Sequence, residues 1–272
     1  MTRLSAKGAL IGAASIAVLA AVPALATHAW STYHWQKGSG PLDMPIGDNV
    51  DSRWEPYLAT AIEDWNKSTV IAAPAYSTGF TSPRRCAPVA NRIEVCNAKY
   101  GQTGWLGIAQ IWLSNGHITQ GITKLNDTYF DTAKYNTPSW RALVTCQEIG
   151  HDYGLGHQDE DFGNADMETN GVQTCMDYTN LPAGNEHPNG HDYDQLASIY
   201  NHSEGAAATT VARSTQSEAA GGDTPSDWGR AIAFTRDGRP HVFERTTASG
   251  RKMITHVFWA IGQGPGGGHS DH

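Results

Sequence analysis

The chain has 272 residues, 39% hydrophobic and 17% charged, with a formal net charge of −8 at neutral pH. An acidic protein has no general attraction for nucleic acid or anionic lipid, which excludes charge-driven binding to either. Beyond the first 26 residues no stretch is long and apolar enough to cross a bilayer.

MTRLSAKGALIGAASIAVLAAVPALA, residues 1–26, reads as a secretory signal. Arg3 and Lys7 form its charged start, an apolar stretch follows from Gly8, and Ala24-Leu25-Ala26 fits the cleavage rule. Its removal takes away two positive charges and no acid, so the net charge moves from −8 to −10. The expected compartment is extracellular and oxidising, which makes Cys86, Cys96, Cys146 and Cys175 candidates for two disulfides. Three pairings are open. The short loop between Cys86 and Cys96 favours that pair, leaving Cys146 with Cys175.

Trp30 to Gln36 alternates aromatic and polar residues, as a first strand does. RWEPYLATAIEDWNKS carries Trp54, Leu58, Ala61, Ile62 and Trp65 at helical spacing. STVIAAP and Ile93–Cys96 read as short strands. GIAQIWLSNGHITQGITKL reads as a hairpin about an Asn115-Gly116 turn. TPSWRALVTCQEIGHDYG is a helix with Thr137 as cap, Pro138 in the first turn and Gly154 as stop. HDYDQLASIYNH is a shorter one. Residues 203–226 form an Ala/Ser/Thr/Gly-rich stretch expected to be a mobile linker. Residues 227–261 form a small β-rich segment that either docks on the main body or stands as an accessory module, and 262–272 form a tail expected to be disordered.

The chemistry concentrates in CQEIGHDYGLGH, residues 146–157. Its spacing is that of a helix-borne zinc site, H-E-x-x-H-x-x-G-x-x-H, except that Gln147 stands first. Residues 147 and 151 are four apart and share a helix face, so both reach one ion. Glu148 is rotated by about 100° and lies beside the ion, where a general base belongs. Gly154 allows the left-handed turn that brings His157 back as a further ligand. Gln147 offers a neutral amide oxygen in place of imidazole. This is a weaker ligand, which leaves open an altered working site or a lapsed one. His117, His187 and His191 are replacements by position only, and Asp159, Glu160 and Asp161 are a solvated loop or a second metal locus.

Cys175-Met176-Asp177-Tyr178 follows His157 after an acidic loop. With these two motifs the stretch from Tyr33 to His202 resembles the metzincin clan of zinc endopeptidases, Met176 matching the methionine of their Met-turn. The resemblance implies an α+β fold over 27–202. It comprises a twisted mixed sheet, two long helices including the zinc-site helix, a Met-turn and a small C-terminal subdomain. It also implies one catalytic Zn²⁺ on Gln147, His151 and His157, Glu148 as catalytic base, and an extended peptide or protein substrate along the upper edge strand within GIAQIWLSNGH. The expected protein is a secreted, monomeric metalloendopeptidase. The alternative is a metal- or peptide-binding scaffold with weak or no catalysis.

Overall fold

The computed structural model describes residues 28–29, 32–163, 173–204 and 218–265. The signal over 1–26 lies outside them, as do residues 205–217 and 266–272. Ten strands and five helices are present among the described residues. They are β1 (His34–Trp35), β2 (Leu42–Asp43), β3 (Ile46–Asn49), α1 (Glu55–Trp65), β4 (Ile71–Ala72), β5 (Ile93–Ala98), β6 (Trp105–Ser114) and β7 (His117–Asn126). There follow α2 (Asp127–Phe130), α3 (Pro138–Asp152), α4 (Gly190–Tyr200), α5 (Pro225–Trp228), β8 (Arg230–Phe234), β9 (Pro240–Thr246) and β10 (Lys252–Trp259).

The main sheet is mixed, in the order β3-β5-β7-β6-β10-β9-β8, with β1 lying parallel to the start of β7. β3, β5 and β7 run parallel, and every later pairing is antiparallel. β2 and β4 form a separate parallel pair. The β6–β7 hairpin turns at Asn115 (φ 50°) and Gly116 (φ 84°), the two left-handed residues of a type I′ turn. β6 and β7 are almost wholly buried because the sheet is covered by helices rather than left open to water.

α1 and α3 pack together against this sheet. The Trp65 indole donates to Cys146 O (3.2 Å), and Arg141 stacks on Trp54 with its carbon 4.3 Å from the ring centre. α3 begins where Thr137 Oγ1 accepts from Trp140 N (3.3 Å) with Pro138 in the first turn. Both disulfides are those favoured by spacing. Cys86–Cys96 fastens a loop to β5, and Cys146–Cys175 joins α3 to the Met176 turn, each with Cα atoms 5.9 Å apart.

Two expectations are corrected. β6, which contains GIAQIWLS, is not an edge strand. β10 pairs with it over Lys252–Trp259, so the segment 227–261 is part of the main sheet rather than a module beside it. The reason is apolar: Met253, Ile254, Val257, Phe258 and Trp259 are each at most 1% exposed, and only docking buries them. The linker is also shorter than read. Asp223 receives the buried Lys124 ammonium (2.8 Å) and pairs with Arg84 (3.0 Å), while Glu218 bonds Ser249. A buried ammonium needs a carboxylate, which fixes this part of the stretch in place. In the tail, Gly264 sits against the Trp259 ring.

Candidate metal centre

α3 carries Gln147, Glu148 and His151 into the interior at 0%, 1% and 2% exposure. Gly154, at φ 98°, ends the helix, and a side chain there would meet Tyr33 O at 2.7 Å. The chain then doubles back, Gly156 N donating to His28 O, and delivers His157 beside His151.

Both imidazoles are held from behind. His151 Nδ1 donates to Leu155 O (2.8 Å), and His157 Nδ1 to the Glu160 carboxylate (3.1 Å). These partners only accept, so each ring carries its proton on Nδ1 and turns an Nε2 lone pair forward. The two Nε2 atoms are 3.0 Å apart. Two lone pairs at that distance repel unless a cation lies between them. Zinc bonded to two nitrogens at about 2.0–2.1 Å with a tetrahedral angle separates them by about 3.3 Å.

The next imidazole comes from β10. His256 stacks on His151 with ring centres 3.6 Å apart, and one nitrogen of each of His151, His157 and His256 lies within 4.8 Å of the others. Burial, with repulsion from the neighbouring imidazoles, lowers the pKa of both His151 and His256 well below the ordinary value and keeps the rings neutral, as metal ligation requires. His241, on β9, stacks on His157 at 5.0 Å and approaches Glu160 at 3.4 Å, and burial holds it down to about 4. Glu160 therefore braces two histidines, which explains one member of the acidic loop. Asp161 pairs with Arg236 (3.3 Å), and the backbone of Asp159 forms a parallel bridge with that of Asp177.

The Gln147 side-chain nitrogen donates to Cys175 O and Asp177 O, both at 2.8 Å. Its Oε1 is buried with no hydrogen-bond partner among the described residues. Gln147 thus ties α3 to the Met176 turn and still holds one unused acceptor. Met176 is fully buried, and Gly150 is what lets it approach: a Cβ there would lie 2.5 Å from its sulfur and 2.7 Å from Trp65. The Glu148 carboxyl lies under β6 at Gly107 and Ala109, directly beside the register position of His256. Burial, with the charge of Asp152 behind it, pushes Glu148 well above the carboxylate range.

The donor set fits a borderline transition ion: three buried imidazoles, two of them anchored at Nδ1. His256 and His241 did not emerge from the motif, because β10 and β9, which carry them, are remote from it in sequence. The one hint was a histidine inside the mostly apolar run MITHVFW. The positional replacements lie elsewhere. His187 bonds Asp64 (2.6 Å), His191 stacks on His28, and His117 bonds Glu204.

No family model matches the sequence, and no curated protein does. Among solved structures, the chain is similar to high choriolytic enzyme 1, a hatching-enzyme zinc protease from the medaka fish Oryzias latipes. Identity is 16% and the TM-score 0.34, over 62% of this chain and 94% of that one. A superposition of that quality does not establish a shared fold.

Proposed function

We propose that the chain is a secreted zinc-dependent peptidase whose ion would be held by His151, His157 and His256, leaving the fourth position open for water or substrate. The observation that carries this reading is the pair of Nδ1-anchored imidazoles turning Nε2 toward each other at 3.0 Å, on the helix that also bears Glu148. A zinc-class ion bound there supplies Lewis acidity. Glu148 is the group that takes a proton and returns it to the leaving amine. The Cys146–Cys175 bridge and the Gln147 bonds to the Met176 turn keep the ligand-bearing helix in register with the floor of the site.

A second reading has its own support. β10 occupies the β6 edge along which a substrate strand would add, and Glu148 and His151 are at most 2% exposed. With β10 in place the centre is closed, as in a metal-binding scaffold. Digestion of a denatured-protein panel by the zinc-loaded full chain separates the two. Peptidase activity lost in Glu148→Gln, with zinc content retained, supports the first reading. No cleavage at full zinc occupancy establishes the second.

A further inference from the structure

A second cluster, sharing no residue with the buried centre, gathers where β1 pairs with the start of β7. His34 Nε2 and His117 Nε2 stand 2.8 Å and 2.7 Å from one oxygen, Glu204 Oε1, and His202 Nε2 is 3.5 Å from it. The rings of His117 and His202 are each 4.9 Å from that of His34, both edge-on. The four residues come from three separate segments: β1, the start of β7, and the chain just after α4. Lys37 holds the last of these, its ammonium donating to His202 O (3.0 Å) and its carbonyl accepting from Glu204 N (3.4 Å).

The hydrogen bonding of His34 is specific. Its Nδ1 lies 2.8 Å from Thr32 O, a pure acceptor, so the proton sits on Nδ1. With that proton alone on the ring, His34 would turn an Nε2 lone pair onto a carboxylate oxygen at 2.8 Å, and two acceptors at that distance need a cation between them. The other carboxylate oxygen, Glu204 Oε2, is buried and has no hydrogen-bond partner among the described residues. The histidine side chains are between 18% and 41% exposed, and His34 and His202 border a surface cavity of about 350 Å³, so an ion reaches the cluster from solvent.

We infer that His34, His202 and Glu204, whose ligand atoms lie within 4.8 Å of one another, form a second metal site, for a divalent ion of the zinc class, that ties β1 to the end of α4, with His117 bonded to the same carboxylate oxygen. Two imidazoles and one carboxylate make an N₂O set that suits zinc with a position left for water. The competing occupant is a proton, which would make His34 an imidazolium paired with Glu204. In keeping with either cation, the hydrogen bonds from His34 and His117 outweigh desolvation and hold Glu204 down to about 2.

The site does not depend on the buried centre, and stoichiometry tells them apart. The full chain is stripped with chelator, loaded with zinc and analysed by native mass spectrometry, with circular dichroism to confirm the fold of each variant. Native protein is expected to hold two zinc equivalents. Glu204→Gln should hold one, and so should His202→Asn, a substitution at a partly exposed ring. His151→Ala should also hold one, and His151→Ala with Glu204→Gln none. If folded Glu204→Gln and His202→Asn carry the same zinc as native protein, whatever that number is, the cluster binds only a proton and the proposal is overturned.

Discussion

Replacing His256 tests whether the strand that closes the site also completes it. The ring is 4% exposed and stacked 3.6 Å from His151, so His256→Ala removes a buried ring and leaves a hole. Without metal this should cost about 2–4 kcal/mol, toward the low end for a buried large-to-small change. The metal-dependent part is separable. Zinc at one hundred times its Kd stabilises a native state by about 2.7 kcal/mol. In a protein of this size each kcal/mol moves Tm by roughly 2–4 °C, giving a gain of about 5–10 °C on adding zinc. His256→Ala should lose most of that gain. So should His256→Phe, which keeps a stacking ring but has no ligand atom. The assay is calorimetry with and without zinc, in a Glu204→Gln background so that only the buried centre responds. If either His256 variant gains as much from zinc as the parent, His256 is a packing residue and the assigned ligand set is wrong.

Other outcomes follow from the same contacts. Gly150→Ala should destabilise the protein in urea titrations, because Trp65 is fully buried 2.7 Å from the new Cβ; overpacking of about 1–3 kcal/mol opposes a helix-propensity gain of about 1 kcal/mol. The double variant Cys146→Ala, Cys175→Ala should lose roughly 3–4 kcal/mol, the chain-entropy value for a loop with a sequence separation of 29, and peptide mapping under non-reducing conditions should recover that bridge from native protein. Asp51, held by its hydrogen bond to Arg53, and Glu204, held by His34 and His117 against its burial, both have pKa values lowered to about 2. Their contribution is complete above the unfolded carboxylate values near about pH 4 and is lost as pH falls toward about 2. The urea midpoint should therefore drop less between about pH 5 and about pH 2.5 in Asp51→Asn, Glu204→Gln than in native protein. An equal drop would remove these two groups from the acid response.

Local signals in the sequence were faithful where local physics decides. The Asn115-Gly116 turn, the Thr137 cap, the Gly154 stop and the meeting of His151 with His157 are each fixed within a few residues, and each is found where the spacing predicts it. What spacing could not show is register between distant strands. The pairing of His256 with Ala109 is set by apolar burial along the whole of β10, and no periodicity links the two positions. The same holds for Gln147. Its chemistry suggests a substitute ligand, but the two backbone carbonyls that take up its amide become neighbours only when the Cys146–Cys175 bridge brings the Met176 turn beneath α3.

The position of β10 has a consequence for how the molecule assembles. A chain that emerges N-terminus first has made β6 and β7, α3 and the His151–His157 pair well before Lys252–Trp259 exists. Until then β6 presents WLGIAQIWLS as an open, largely apolar edge, the kind of strand that recruits other chains. The final hairpin removes that hazard and supplies His256 in the same event. On the proposed ligand set, metal capture would wait for the end of folding, so a truncated or stalled chain would be both prone to aggregate and poor at holding zinc.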